Sequence, residues 1–393
     1  MMPDSRPTMT PPLARHRSHL ILFGIYLTAI ATVFALFLVY RIRVHHLTFA
    51  ARQFFWTGDL HRDAAMGFRM NGNRTGLAVL NHGLMDPARQ IPVRTDAFGL
   101  RIPLQRDPAK FQRGGIAAVG CSCTFAHGVA AESSYVEVAG ALLRLPASNL
   151  GVCAYSAVTS ALLLEEDIDR LQPRVVVYGF GNFHLQRAAT PRADSELFQA
   201  WATCHDGNCK IEPPLFDNRL AFAMAPEVER LYDAPRLAGI GTPLNAARVS
   251  LLGPLALQDL VRALHPHSLK LRIAARQLPE AAFCRYILQR MYGTCHAHGA
   301  LFVLLWFPKE YGDRPAPGML TAANELGQRD DFLYVDCSPG LFAGVSDQKA
   351  YSTLWQVPRD GHPNKNMHAE MGRALAVAIA PMLVKPDGSE GGR

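Results

Sequence analysis

The stretch 115–125, Gly-Ile-Ala-Ala-Val-Gly-Cys-Ser-Cys-Thr-Phe, leads from an apolar segment into Ser122. Residues 115–121 carry no charged side chain, which is typical of a strand that is buried on both faces of a sheet. Apolar residues then recur at helical spacing, at Tyr135, Val138, Leu142 and Leu145. This order of strand, serine and helix predicts that the Ser122 hydroxyl projects over the carboxyl edge of the sheet.

The alternation of strand and helix continues after this stretch. Further strands are predicted at 148–154, 174–180, 300–307 and 332–336. The intervening helices have apolar faces, formed in one by Ala157, Ala161, Leu164, Ile168 and Leu171 and in another by Cys284, Leu288, Met291 and Cys295. A closing helix begins near Asn366, with Met367, Met371, Leu375 and Ala378 on one side. This pattern predicts an α/β fold with a parallel sheet of about five strands covered on both faces. Ligands of such sheets bind beyond the carboxyl ends of the strands.

The α/β domain is predicted over 96–385, followed by a disordered tail over 386–393. A proline-rich segment without a strong period interrupts it at about 185–275. This insertion is either a lid that shapes the substrate site or a surface embellishment. Residues 41–95 form a juxtamembrane region without a clear period, in which MNGNRTG and NHGLMDPARQ predict loops.

A single membrane anchor is predicted over 20–40. These 21 residues carry no charge, and at about 1.5 Å of rise per residue a helix of this length spans the hydrocarbon core of a bilayer. A cleaved signal peptide is the competing interpretation, but the apolar run continues for nine residues beyond the small-x-small motif that ends at Ala31. Three arginines lie on each side of the span, so charge does not decide the orientation. We expect a cytoplasmic tail over 1–19 and a periplasmic domain.

Charge and cysteine content exclude several classes of partner. The formal net charge is +7, but the basic residues are scattered and no nucleic-acid-binding motif is present, so membrane lipid is the expected partner and nucleic acid is not. The chain has eight cysteines and no CxxC pair, so neither a zinc site nor another cofactor is expected. Cys204 and Cys209 flank a turn and could form a disulfide in an oxidising compartment.

An acid–base pair is predicted in the segment VPRDGHPN, residues 357–364. Asp360 precedes His362 by two residues in a turn ahead of the last helix. This spacing allows the carboxylate to accept a hydrogen bond from the imidazole and to stabilise the imidazolium. The imidazole would activate Ser122, because a hydroxyl is a weak nucleophile until a base removes its proton.

Donors for a developing oxyanion are predicted at the ends of three strands. They are the N–H of Ser122 after the first strand, the N–H of Ala154 after the second, and the side-chain amide of Asn182 after the third. Each of these residues is ordinary turn composition when taken alone. Together with Asp360 and His362 they form an ordered set at one edge of the predicted sheet.

These segments resemble the conserved blocks of the SGNH (GDSL-type) hydrolase superfamily, from Thr95 to Leu383 apart from the insertion. RTDAFGLR with AAVGCSCTFAHGV resembles block I, NLGVCAYS block II, VVVYGFGN block III and DGHPN block V. The resemblance implies a flavodoxin-like three-layer α/β/α fold and a membrane-anchored member of the superfamily. It implies a catalytic triad of Ser122, Asp360 and His362, with oxyanion donors at Ser122, Ala154 and Asn182.

The chain departs from the superfamily's pattern at three positions. Cys121 stands where Asp usually precedes the serine, Ala154 replaces the block II glycine, and Phe183 follows Asn182 in place of Asp. Cys121 and Cys123 are alternative thiol nucleophiles, although both are expected to pack as small apolar side chains. His127 and His184 are expected to pack beside the site.

The predicted function is a serine-dependent esterase, either an acyl hydrolase or an acyl transferase, acting on O-acyl esters of small molecules or polysaccharides. The resemblance implies an envelope carbohydrate ester as the favoured substrate. Two alternatives stay open. One is a lipid esterase, which the predicted anchor suggests. The other is a non-catalytic envelope protein that binds or assembles polysaccharide on the same fold, which the three departures suggest.

Overall fold

The computed structural model describes residues 21–36, 60–79, 90–109, 112–191, 197–215, 218, 278–358 and 360–383. The predicted tails 1–19 and 386–393, much of the region 41–95 and most of the predicted insertion lie outside these residues. The described strands are β1 (Leu60–Asp63), β2 (Gly67–Met70), β3 (Thr75–Val79), β4 (Gln90–Thr95), β5 (Arg101–Ile102), β6 (Ile116–Gly120), β7 (Ala147–Gly151), β8 (Val175–Phe180), β9 (Trp201–His205), β10 (Asn208–Glu212), β11 (Leu301–Trp306) and β12 (Phe332–Asp336).

The described helices begin with α1, over 21–36. They continue with α2 (Ser122–Phe125), α3 (Tyr135–Leu143), α4 (Ala157–Leu171), α5 (Phe183–Ala188), α6 (Glu280–Ala297), α7 (Pro317–Leu326), α8 (Ser338–Phe342), α9 (Gln348–Trp355) and α10 (Lys365–Leu383). A short 3₁₀ helix, Ala131–Ser133, precedes α3.

The central sheet contains the five predicted parallel strands. Its strand order is β12-β11-β8-β6-β7-β5-β4-β3, and the first five strands run parallel. Counted along the chain, the parallel strands have the order 2-1-3-4-5, which is the flavodoxin-like arrangement. Successive strands are therefore added on opposite sides of β6, with β7 on one side and β8 on the other, and ligands of this arrangement bind at that switch point of the strand order.

Alternate residues of each central strand enter the two faces of the core. In β6, Ala117 and Val119 face the layer that contains α4 and α6, whereas Ile116 and Ala118 face the layer that contains α3 and α10. This period of two is the expected pattern for a strand covered on both sides. The predicted α/β/α layering and the apolar faces of α4, α6 and α10 are confirmed.

Three antiparallel strands extend the sheet beyond the prediction. β5, β4 and β3 continue from β7, and a separate hairpin of β1 and β2 lies just before them. The region 41–95, predicted to consist of loops without a clear period, thus supplies strands at 60–63, 67–70, 75–79 and 90–95. These strands are short, and three of them contain charged residues such as Arg69 and Arg94, so they lack the continuous apolar run that marks the parallel strands.

The predicted apolar face of the helix after Ser122 is partly wrong. Leu142 is 57% exposed, and α3 instead buries Tyr135, Val136, Ala139 and Gly140. α10 approaches α3 so closely that a Cβ at Gly372 would lie 2.6 Å from Val138 Cγ1. Gly372 on α10 therefore leaves room for Val138, a residue of the predicted apolar face, to pack against that helix.

The described part of the predicted insertion contains α5 and a hairpin of β9 and β10. The turn at Asp206 and Gly207 has φ values of 51° and 80°, which is the conformation of a tight two-residue hairpin turn. A disulfide joins Cys204 to Cys209 across the hairpin. The turn and the pairing both agree with the expectation from the sequence.

No described helix has both the length and the apolar character to cross a membrane. α1 covers only part of the predicted span 20–40, and the other residues of that span lie outside the described ranges. The membrane anchor stays a prediction.

Candidate active site

Ser122 is the first residue of α2, directly beyond the carboxyl end of β6. The turn between them requires glycine at position 120, because a Cβ there would lie 2.2 Å from Thr124 Oγ1. Cys121 caps α2, since its Sγ accepts a hydrogen bond from the Cys123 N–H at 3.5 Å. Aspartate and serine commonly serve as such caps, so the thiol can fill the structural role of the residue it replaces.

The structure brings Ser122, Asp360 and His362 together. Ser122 Oγ lies 2.9 Å from His362 Nε2, and Asp360 Oδ1 is hydrogen-bonded to His362 Nδ1. The side chain of Asp360 is 9% exposed and that of His362 is 25% exposed, so the imidazole is open to a ligand on one side. The arrangement links nucleophile, base and carboxylate in the order that triad chemistry needs.

The loop that carries Asp360 and His362 is a compact turn ahead of α10. The Val357 N–H donates to the His362 carbonyl at 2.8 Å, and the Asn364 N–H donates to the Trp355 carbonyl at 2.9 Å. Gly361 has a φ of 80°, a conformation that glycine adopts without steric cost. The two-residue spacing noted in the sequence therefore places both side chains toward Ser122.

The electrostatic environment keeps Asp360 ionised. Burial raises the pKa of Asp360, but the hydrogen bond and the charge of His362 outweigh it and hold the pKa below its usual value. His127 is buried, and its ring centroid lies 4.8 Å from that of His362. Burial and the charge of His362 lower the pKa of His127 to about 3, so His127 is neutral near pH 7.

Two backbone donors are available beside the nucleophile. Among the described residues, neither the Ser122 N–H nor the Ala154 N–H has a hydrogen-bond acceptor. The two groups follow neighbouring parallel strands, in which Gly120 pairs with Gly151. Buried N–H groups without acceptors are rare in folded proteins, and here they lie at the edge where an oxyanion would need them.

The sequence suggested that Ala154 ends the second strand, but Ala154 lies in a turn after that strand. β7 ends at Gly151, and the Tyr155 N–H donates to the Val152 carbonyl at 3.1 Å. Ala154 adopts a φ of 67°, a left-handed conformation that costs a residue with a Cβ about 1–2 kcal/mol. The turn is anchored by the Tyr155 hydroxyl, which donates to the Phe68 carbonyl at 2.6 Å.

The amide of Asn182 is bound to the loop before α7. Its Nδ2 donates to the Arg314 carbonyl at 2.8 Å, and its Oδ1 accepts from the Ala316 N–H at 2.9 Å. The amide has a second N–H, which is the group left to serve a ligand. A role for Asn182 as an oxyanion donor therefore stays a prediction.

Arg101 holds the segment that follows Ser122, and it was not singled out from the sequence. It is 1% exposed, and its guanidinium donates to the carbonyls of Phe125, Ala126 and Val129. Burial lowers the pKa of Arg101 to about 10, so it still carries its charge at neutral pH. In the sequence, the only signal for Arg101 is its position as the last residue of the block RTDAFGLR, and this position does not indicate a role.

The loop 126–129 held by Arg101 packs against the turn that carries the acid–base pair. A Cβ at Gly128 would lie 2.4 Å from Val357 Cγ2 and 3.0 Å from the Pro363 carbonyl oxygen. Only glycine fits at this contact. Arg101, loop 126–129 and the turn 357–364 thus form one packed unit around His362.

The other residues considered as nucleophiles or polar neighbours of Ser122 are buried. Cys121, Cys123 and His184 are buried, and His184 Nδ1 lies 3.0 Å from the Tyr178 hydroxyl. In the part of the chain that the structure describes, one group of three side chains could hold a metal ion. It consists of His127, Asp360 and His362, whose donor atoms lie within 4.8 Å of one another.

Comparison with known proteins finds similarity in structure only. No protein-family model matches the chain, and no curated protein sequence matches it. A lipolytic protein of the G-D-S-L family from Desulfitobacterium hafniense is similar over 68% of this chain and 99% of its own, with 10% identity and a TM-score of 0.33.

Two carbohydrate esterases give similar values. A family 2 carbohydrate esterase from Corynascus, also named Myceliophthora fergusii, is similar over 72% of this chain and 70% of its own, with 15% identity and a TM-score of 0.36. An acetyl-xylooligosaccharide esterase from Geobacillus is similar over 69% of this chain and 95% of its own, with 14% identity and a TM-score of 0.32. Likeness at this level does not establish a shared activity.

Proposed function

We propose that this chain is a serine-dependent acyl hydrolase or acyl transferase that acts on O-acyl esters. The observation that carries the proposal is the 2.9 Å approach of Ser122 Oγ to His362 Nε2, with Asp360 bound to the other ring nitrogen. A serine that is only a turn residue has no need of an imidazole oriented by a carboxylate. The N–H groups of Ser122 and Ala154 support the same interpretation, because among the described residues they lack acceptors.

The reaction follows from these groups. His362 Nε2 takes the proton of Ser122 as Oγ attacks the acyl carbonyl, and the ionised Asp360 stabilises the resulting imidazolium. The N–H groups of Ser122 and Ala154 hold the oxyanion. The imidazolium then gives its proton to the leaving alkoxide, which leaves an acyl group on Ser122. A water molecule or a second hydroxyl, activated by His362, attacks this acyl-enzyme and restores the serine.

Labelling with a fluorophosphonate probe tests the proposal in the purified full chain. We expect labelling of the wild type and none of Ser122→Ala. Ser160→Ala is the matched control, because Ser160 is buried and its hydroxyl has no partner among the described residues. Equal labelling of the wild type and Ser122→Ala, with both proteins folded by circular dichroism, would overturn the proposal.

The substrate class we favour is an envelope carbohydrate ester, which rests on the resemblance of the sequence blocks and on the predicted export of the domain. The Cys204–Cys209 disulfide supports an oxidising compartment, since disulfides rarely persist in the cytosol. A panel of esters from acetyl to long-chain, together with an O-acetylated polysaccharide, tests this choice. Preference for long acyl chains would favour a lipid esterase in its place.

A non-catalytic polysaccharide-binding protein is the second candidate. The methyl group of Ala154 beside the oxyanion site and the thiol in place of the usual carboxylate before Ser122 are the features that favour it. Saturable polysaccharide binding without turnover, equal in the wild type and Ser122→Ala, would support this candidate.

A reporter fused to the C-terminus tests the predicted periplasmic location of the domain.

A further inference from the structure

We propose that His127, Asp360 and His362 form a binding site for a divalent transition-metal ion of the Zn²⁺ type, and that the bound ion reversibly inhibits the enzyme. The inhibition rests on the proposed function of Ser122. The binding does not, because it needs only the three side chains. The site shares Asp360 and His362 with the proposed triad and adds His127, which has no role in the proposed reaction.

The geometry of the three side chains suits such an ion. Their donor atoms lie within 4.8 Å of one another. In a tetrahedral site with ligand distances of about 2.0–2.2 Å, neighbouring donor atoms are roughly 3.4 Å apart. Asp360 and His362 are already in hydrogen-bond contact. Binding therefore requires the donor atoms that lie farthest apart to close by up to about 1.4 Å, and Asp360 and His362, which are closer than two ligands of one ion, to move slightly apart.

The scaffold around the site holds the ligands close before an ion binds. His127 lies in loop 126–129, which Arg101 holds through the carbonyls on either side of it. This loop is pressed onto the turn 357–364 at Gly128. The exposed quarter of the His362 side chain provides the path of entry, and a fourth coordination position is left for water.

The donor set selects the class of ion. Two imidazoles and one carboxylate are the ligands that Zn²⁺ and similar ions accept. Mg²⁺ and Ca²⁺ require mainly oxygen ligands and would not be held here. The charge of Asp360 favours a cation, and the buried charge of Arg101 opposes it, so we expect moderate affinity and reversible binding.

Inhibition follows from the chemistry of a neutral imidazole, which has one lone pair. When Nδ1 of His362 ligates the ion in place of its hydrogen bond to Asp360, this lone pair is used and Nε2, which faces Ser122, carries the ring proton. His362 can then donate a hydrogen bond to Ser122 but cannot take its proton. The ion also takes the carboxylate of Asp360 away from the imidazole, so that no base remains for Ser122.

Metal binding to full-length Ser122→Ala tests the site without any turnover. We expect one Zn²⁺ per chain by calorimetry and the visible absorption of a low-symmetry Co²⁺ complex. Adding His127→Ala, or His127→Gln to keep a polar group, should weaken binding by more than the roughly 10-fold that the loss of an outer-shell partner costs a metal site, because His127 is a direct ligand. The matched control is His296→Ala, because His296 is exposed and pairs with Asp331.

Turnover by the wild-type chain tests the consequence. We expect Zn²⁺ to inhibit ester hydrolysis, a chelator to reverse the inhibition, Mg²⁺ to have no effect, and His127→Ala to raise the inhibitory Zn²⁺ concentration by the same factor as it weakens binding. Zn²⁺ binding that is absent, or that His127 variants with native circular dichroism leave unchanged, would overturn the proposal. His127-dependent binding in a protein without Ser122-dependent activity would retain the site and refute the proposed function.

Discussion

Ala154 and Ala126 are two alanines near the nucleophile that adopt left-handed backbone conformations, with φ values of 67° and 64°. Ala154 follows β7 and is a proposed oxyanion donor, whereas Ala126 ends α2 and its N–H is bound to carbonyls of that helix. Both pay the steric cost of a Cβ at positive φ. Comparing glycine variants of the two alanines therefore separates the effect of backbone strain on stability from any effect on catalysis.

Ala154→Gly should raise the free energy of unfolding by about 1 kcal/mol and leave kcat unchanged or increased, because it removes a methyl group beside the oxyanion. Ala126→Gly should raise stability by a similar amount without affecting kcat. Urea unfolding and steady-state kinetics of both variants provide the measurement. A fall in both stability and kcat for Ala154→Gly would show that the methyl group is needed.

At the scale of elements, loop 126–129 depends on Arg101 for its shape. Lysine cannot reach three carbonyls with the planar geometry of a guanidinium. Arg101→Lys should lower the free energy of unfolding by about 2–4 kcal/mol. It should also lower kcat more than it raises KM, because the loop supports the turn that carries His362.

The matched control for Arg101 is Arg106→Lys. Arg106 binds Glu137 through both guanidinium nitrogens and also donates to the Ala147 carbonyl, at the other end of the sheet. Arg106→Lys should lower the free energy of unfolding and leave kcat unchanged. Equal losses of kcat in the two variants would contradict a specific role for Arg101.

The elements differ in how far the sequence predicts them. β6, β8, β11 and β12 are uninterrupted apolar runs because helices cover both of their faces, and such runs are visible in a single sequence. β3, β4 and β5 lack such runs: β4 and β5 contain Arg94 and Arg101, β3 begins with Thr75 and Gly76, and the pairing of β5 with β7 joins residues distant in the chain. The same holds within the site: Asp360 and His362 are neighbours in sequence, whereas Arg101 is recognised only once the fold brings it to loop 126–129.

At the scale of the whole molecule, two buried histidines make the fold sensitive to acid. Burial lowers the pKa of both His127 and His368 from 6.5 to about 3. Between these values the unfolded chain binds protons that the folded chain does not. Stability is therefore complete above pH 6.5 and falls as the pH drops toward 3.

We expect the free energy of unfolding to fall below pH 6.5 by about 1.4 kcal/mol per pH unit for each of these histidines. His368→Gln should reduce the slope, because it removes the titrating imidazole. Gln can still accept the hydrogen bond that the Tyr135 N–H donates to His368 Nδ1 at 3.2 Å. His298→Gln is the control: the Thr294 carbonyl and Asp169 raise the pKa of exposed His298, so its contribution has the opposite sign. Stability independent of pH between about 6.5 and 4 would contradict this account.

In the proposed reaction, Ser122 forms a covalent acyl intermediate with His362 as its base. Mass mapping of the trapped adduct shows whether this intermediate forms and on which residue. The full chain is mixed with a slowly hydrolysed activated ester, quenched in acid and digested with trypsin, which releases Ser122 within residues 114–144. We expect one acyl group on Ser122, absent in Ser122→Ala and greatly reduced in His362→Ala. An adduct on Cys121 or Cys123, or none in a folded wild type, would contradict it.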